Sequence, residues 1–284
     1  MYFTECPRDA MQGIIDFIPT ATKANYLNQL LKVGFDTIDF GSFVSSKAIP
    51  QMQDTNQVIA KLDFSNTQSK LLAIVANERG ASEACEYEEI SFLGFPLSLS
   101  ETFQIRNTNK TILEAHSTIE KINQLCVLRQ KKLVIYLSMG FGNPYGDPYN
   151  SDLIIQSIQA LTRLGIEHVL PSDTIGVATP ENIQSLFKLI VSLFPDIKFG
   201  AHLHSEPNLA KEKLKSAYQA GCRKFDTSIL GIGGCPMATS NLIGNIATEK
   251  LIDFLNDEHL YSSINIEEFA VSKEMANAIF NRYH

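Results

Sequence analysis

Eight short apolar runs of β-branched character recur along this chain, and stretches with helical spacing separate them. The runs fall at about residues 2–5, 37–40, 71–76, 89–94, 132–138, 167–171, 198–203 and 225–229. Near-continuous hydrophobic strands of this kind belong to parallel sheets covered on both faces. Between them, ANYLNQLLKVG (24–34), TILEAHSTIEKINQLCVLRQ (111–130), SDLIIQSIQALTRLG (151–165), PENIQSLFKLIVSLF (180–194) and AKEKLKSAYQAG (210–221) each place apolar residues on one helical face. Gly34, Gly165 and Gly221 close three of these segments, and Thr179 before Pro180 opens one with a cap and a first-turn proline. The tail, NIEEFAVSKEMANAIFNRYH, reads as a further amphipathic helix. Eight alternating units predict a single α/β domain over residues 1–284, a (β/α)8 TIM barrel with an extra C-terminal helical segment. A doubly wound open sheet satisfies the same periodicity.

Composition narrows the function. The chain has 24 basic against 31 acidic residues, a net charge of −7, and no basic tract. That argues against a nucleic-acid or anionic-membrane partner. No apolar run reaches the roughly 18 residues of a spanning helix, and the N-terminus carries no basic-then-apolar leader. The expected compartment is the cytoplasm. Five cysteines, none spaced as CxxC, disfavour a disulfide framework or a zinc knuckle.

In a barrel of this class, chemistry sits where the strands end and the following loops begin. Arg8 and Asp9 follow the first run, Asp39 ends the second, Asp173 follows the sixth, His202 and His204 close the seventh, and Asn245 comes after the eighth. Residues two apart on a strand point the same way, so His202 and His204 can share one cation. Asp9 could add a carboxylate and Asn245 an amide oxygen. That mixed set suits Mg²⁺ or Mn²⁺ better than thiolate-bound zinc. An HxH pair alone is as often a core or surface pair. The segment GIGGCP (231–236) wraps three glycines around Cys235, which fits a mobile loop carrying a soft acid, or a tight turn with a packed cysteine. Arg8 beside Asp9 could steady an oxyanion, or be an ordinary ion pair.

Taken in order, CPRDAMQ (6–12), SFVSSKAIPQM (42–52), SETFQIRNTNKT (100–111), FGNPYGD (141–147), SDTIGVATP (172–180), HLH (202–204), GIGGCP (231–236) and GNIATEKL (244–251) resemble the 3-hydroxy-3-methylglutaryl-CoA lyases. These belong to a metal-dependent group of lyases and Claisen synthases built on a TIM barrel. The resemblance implies a closed barrel, a divalent cation, an acyl-CoA substrate and a homodimer. It implies Asp9, His202, His204 and Asn245 as metal ligands. It implies Arg8, Cys235, Asp173 and His202 as catalytic residues, and Arg8, Asp39 and Ser42 as substrate contacts. The implied reaction cleaves 3-hydroxy-3-methylglutaryl-CoA into acetyl-CoA and acetoacetate.

The chain departs from the family pattern in places. It has Asp39 where the lyases usually carry Glu, Asn143 in the usual FGCPY, and Ser205-Glu206-Pro207-Asn208 after the HxH pair. An isopropylmalate- or citramalate-synthase type of acyltransferase and a 4-hydroxy-2-oxo-acid aldolase share the Arg-Asp and HxH elements. A non-catalytic CoA-ester-binding protein is a further reading.

Overall fold

A computed structural model describes residues 1–234 and 243–283. Nine parallel strands form one sheet: β1 (Tyr2–Glu5), β2 (Thr37–Ser42), β3 (Lys70–Ile74), β4 (Ile90–Ser98), β5 (Lys132–Ser138), β6 (His168–Pro171), β7 (Lys198–Phe199), β8 (Ala201–His202) and β9 (Lys224–Thr227). Their spatial order is β7-β6-β5-β4-β3-β2-β1-β9-β8. The two ends, β7 and β8, are separated in sequence by Gly200 alone, so the sheet closes on itself. The expected seventh strand is therefore two pieces, one paired to β6 and the other to β9. Gly200 stands between them, where a Cβ would press on Leu170 at 2.9 Å. The closure continues past the strands, with the Asp173 N–H donating to the His202 carbonyl at 2.9 Å. This is a (β/α)8 barrel, and the open-sheet alternative is excluded.

Around it lie α1 (Pro7–Gln12), α2 (Thr20–Leu30), α3 (Thr55–Ile59), α4 (Glu78–Cys85), α5 (Glu101–Thr108), α6 (Ile112–Leu128), α7 (Ser151–Arg163), α8 (Pro180–Leu193), α9 (Ala210–Gln219), α10 (Thr248–Asp257) and α11 (Ile266–Arg282). The expected caps form: Thr179 Oγ1 accepts from the Asn182 N–H, and Gly34, Gly165 and Gly221 take positive φ at helix exits. α11 is the expected tail helix. Among the described residues, no helix is long and apolar enough to cross a membrane. Two boundaries differ from the sequence pattern in ways that matter. Arg8 and Asp9 are not in a loop but in α1, which starts directly after β1 behind Pro7. Asp39 does not end its strand, since β2 runs on to Ser42.

Strand alternation divides the buried residues into two sets. Leu71, Ala73, Ile135, Leu137 and Val169 face outward into the main core beneath the helices. Leu72, Ile74, Val134, Tyr136 and Leu170 face inward and make a separate cluster within the barrel. Each fully buried branched side chain contributes about 1.5–3 kcal/mol. This inner apolar cluster occupies only the β3–β6 side. On the opposite wall the same parity brings polar residues inside. Phe3, Ile38, Ala201 and Phe225 join the outer core, so Thr4, Asp39, His202 and Asp226 are turned to the interior. The barrel is apolar on one side and ionisable on the other, and the ionisable side leads up to the rim.

Candidate active site

The rim of the ionisable wall gathers residues from both ends of the chain. Asp9, in the first turn of α1, is its centre. Asp9 Oδ1 accepts from Gln12 Nε2 at 2.6 Å and Arg8 Nη1 at 3.3 Å. Oδ2 accepts from Asn245 Nδ2 at 2.6 Å and the Gly234 N–H at 3.2 Å. Asp9, His202 and His204 each offer a ligand atom, and these atoms lie within 4.8 Å of one another. Asn245 completes the corner. Its NH₂ faces two acceptors, Asp9 and the Ile232 carbonyl, which sets the amide orientation and leaves Oδ1 as the atom that could ligate a cation. His204 and Asn245 are held opposite each other by an antiparallel bridge, with Ser205 N–H on the Gly244 carbonyl at 3.0 Å.

Electrostatics follow from burial and neighbours. Burial opposes the Asp9 charge, but Arg8 and then His202 hold the carboxyl below its usual range. His204 is pushed down to about 4 by burial and by His202, so it is a neutral imidazole with a lone pair to give. Burial also lowers His202, but Asp226, through Nδ1 at 3.4 Å, outweighs it and the net shift is upward.

Arg8 binds Asp39 in a fork, with Nη2 to Oδ2 at 2.5 Å and Nε to Oδ1 at 3.2 Å. A third arm reaches Asp9 and Gln12 Oε1, the latter at 2.8 Å. Burial works against the guanidinium charge, and Asp39 and Asp9 more than offset it. By inventory, five N–H groups minus these four uses leave one for a ligand. Burial pushes Asp39 up to about 6 against the pull of Arg8.

The glycines of the GIGGCP segment have a steric reason that mobility alone does not supply. Gly233 has φ +121°, and a Cβ there would collide with Asn245 Nδ2 and lie 2.7 Å from Asp9 Oδ2. Gly231, at φ +67°, would meet the Asn245 carbonyl at 2.9 Å. The backbone lies directly against the Asp9–Asn245 pair, and only glycine fits. Cys235, the expected acid of this segment, lies outside the described residues.

Two expected residues stand apart from the Asp9 corner. The Asp173 carboxylate accepts from Lys213 Nζ and from the Ala178 N–H, both at 3.1 Å. Lys213 also donates to the His204 carbonyl at 2.7 Å, which links this pair to the histidine strand through backbone. Ser42 donates to the Ile74 carbonyl. It borders a rim cavity of about 360 Å³ that Phe43, Ser45, Asn77 and Arg79 also line. Gln12, Lys213 and Asp226 went unseen in the sequence. Asp226 had a signal, a lone acid in a run read as a buried strand. Gln12 lies four residues after Arg8, which matters only once α1 is known. Lys213 is one of three lysines in its helix and carried none.

A barrel whose strand ends converge a carboxylate, two imidazoles, an amide and a buried arginine defines an enzyme of the TIM-barrel class with a group of side chains that could hold a cation. The chain belongs to the HMGL-like family, which matches residues 2–275. It is 30% identical over 262 residues to a hydroxymethylglutaryl-CoA lyase of Bacillus subtilis, covering 92% of this chain and 87% of that one. It is 28% identical to an (R)-citramalyl-CoA lyase of Chloroflexus aurantiacus, covering 97% and 89%. An HMG-CoA lyase from Acinetobacter baumannii, solved with coenzyme A and 3-methylmalate, superposes with a TM-score of 0.91 at 26% identity, covering 99% of this chain and 91% of that one. The protein is a lyase of this family.

Proposed function

We propose that the protein is a divalent-cation-dependent lyase that cleaves 3-hydroxy-3-methylglutaryl-CoA to acetyl-CoA and acetoacetate. The observation that carries this reading is the convergence of Asp9, His202 and His204 within 4.8 Å of one another, beside Arg8. The donor set fits Mg²⁺ or Mn²⁺: one anionic oxygen and imidazole nitrogens, with the amide oxygen of Asn245 and no sulfur among these four residues. Asp9, His202, His204 and Asn245 would hold the cation. Bound there, it would acidify the substrate's tertiary hydroxyl and fix its orientation.

The rest is done by side chains. As the hydroxyl passes its proton to solvent water at the open rim, C3 becomes the ketone of acetoacetate and the C2–C3 bonding pair moves onto C2. The resulting thioester enolate carries its charge on oxygen, where the remaining N–H of Arg8 donates. Asp39 keeps that guanidinium aimed. His202, once a ring nitrogen serves as ligand and the other faces Asp226, has no lone pair left for proton transfer. The proton that C2 takes up is therefore assigned to Cys235. Asp173 enters as a positioning residue, through Lys213 and the turn it caps. The rim cavity at Ser42 would receive the CoA arm, with Arg79 as its cation.

In a coupled assay, the purified protein with Mn²⁺ or Mg²⁺ is expected to release acetoacetate from hydroxymethylglutaryl-CoA, and a chelator should abolish it. The citramalyl-CoA lyase among the relatives favours one second reading, cleavage of citramalyl-CoA to acetyl-CoA and pyruvate by the same bond-breaking. Turnover of that ester alone would reassign the acyl group. Turnover of neither would overturn the proposal.

A further inference from the structure

Below the rim, Thr4, Asp226 and His202 stand in one row, since Thr4 is the register partner of Asp226 and Asp226 that of His202. The Asp226 side chain has no solvent exposure, and among the described residues neither carboxylate oxygen has a hydrogen-bond partner. A buried carboxylate left this way costs several kcal/mol. Among the described residues it caps no helix, and no lysine or arginine pairs with it, in contrast to Asp173 with Lys213. The nitrogen that reaches it is Nδ1 of His202, 3.4 Å from Oδ2 and itself buried without another partner. The Tyr136 ring meets the His202 imidazole edge-on at 5.5 Å and limits its rotation.

A neutral imidazole has one N–H and one lone pair, and whatever accepts the N–H decides where the lone pair goes. We infer that Asp226 is the positioning residue of the cation site: it accepts from the Nδ1–H of His202 and so commits the Nε2 lone pair to the corner shared with Asp9 and His204. The inference rests on the proposed cation site, and it extends that site by one layer into the barrel. Carboxylates placed behind a ligating histidine typically strengthen metal affinity by about 10–100-fold.

The test reads the tautomer directly. The protein is labelled with ¹⁵N-histidine, stripped of metal with chelator, and its ring nitrogens are correlated to ring protons by NMR. A His202→Asn variant assigns the signal. At a pH high enough that the ring is neutral, the wild type is expected to show His202 protonated at Nδ1 alone, and Asp226→Ala should shift the ring toward the Nε2–H form or a mixture. Asp226→Leu keeps roughly the shape, offers no acceptor at all, and should do the same if the alanine variant does not fold. Calorimetric titration with Mn²⁺ should show about 10–100-fold weaker binding in either variant, with Asp226→Glu recovering part of it. A neutral wild-type ring protonated at Nε2 instead of Nδ1, or a tautomer unmoved in both variants, would overturn the inference. Failure of the wild type to bind Mn²⁺ would instead remove the cation site, while the tautomer comparison would still decide what Asp226 does.

Discussion

Asp9 and Asp173 sit on the same rim, 6% and 1% exposed, and the barrel treats them in opposite ways. Asp9 is surrounded by donors that belong to the site itself: Arg8, Gln12, Asn245 and the Gly234 N–H. Its carboxyl is held below the usual range. Asp173 has one lysine and one backbone N–H on the carboxylate, and burial wins, pushing its carboxyl up. The difference lies in where the compensating charge comes from. At Asp9 the guanidinium is shared with Asp39 and the oxygens stay beside two imidazoles. At Asp173 the Lys213 ammonium comes from an outer helix and is used up in the pair. A buried acid near a strand end is thus a candidate ligand only while its charge is not already consumed by the scaffold.

The largest effect should come from Asp9. Asp9→Asn keeps the shape but removes the anionic oxygen. Lyase turnover should fall about 10³–10⁴-fold, the several kcal/mol that a catalytic cation supplies, and calorimetric Mn²⁺ binding should weaken in step. The urea midpoint should change little, because Arg8 keeps its fork onto Asp39. If Asp9→Asn binds Mn²⁺ like the wild type, Asp9 is no ligand and its contrast with Asp173 disappears.

A smaller loss, in stability instead of binding, is expected on the other side. Lys213→Met leaves Asp173 buried without its cation and should cost about 3–5 kcal/mol, read as a lowered urea midpoint. Adding Asp173→Asn should restore much of it, because the uncompensated charge is then gone. Strong coupling between the two changes would assign the pair to the scaffold. A double variant as unstable as Lys213→Met would mean that Asp173 contributes through Ala178 and not through the lysine.

How far these roles could be read from sequence follows the range of the interactions that create them. Strand and helix order, the tail helix and the Thr179 cap are local, and periodicity carries them. The reason for a glycine at position 200 is not local: Leu170 lies against it across the sheet. The HxH pair, Asp9 and Asn245 were visible as residue types, but their meeting required a closed barrel, which the motif order supplied and the periodicity could not. Lys213 was invisible because a lysine on an amphipathic helix reads as solvent-facing. Only the packing of α9 against the rim turns it inward, where it is 2% exposed. The glycines of GIGGCP were visible, but the steric reason for Gly233, contact with a residue more than two hundred positions away, was not.

A third acid tests whether compensation by charge is what separates the first two. Glu5 is wholly buried, but its partners are neutral: Ile229 N–H to Oε1 at 2.8 Å and the Thr248 hydroxyl on Oε2 at 2.6 Å. Burial raises its pKa to about 8, so in the folded protein it carries a proton at neutral pH. Thr248 also reaches Thr227 Oγ1 at 3.0 Å, so it can accept from protonated Glu5 and pass its own proton on. The folded pKa lies above the ordinary 4.5. Between those two values the folded chain holds a proton that the unfolded chain has released, so stability falls as pH rises. The slope is at most about 1.4 kcal/mol per pH unit. The contribution is fully present below the unfolded pKa and gone above the folded one. Glu5→Gln keeps an acceptor for Ile229 and a donor for Thr248 but cannot ionise. From about pH 5.5 to 8.5, a window set by the same linkage, the wild-type melting temperature should decline relative to the variant and then run parallel to it. Curves parallel throughout would mean Glu5 is ionised in the fold, and that burial beside neutral donors suffices to hold a charge in this barrel without the cations that Asp9 and Asp173 each have.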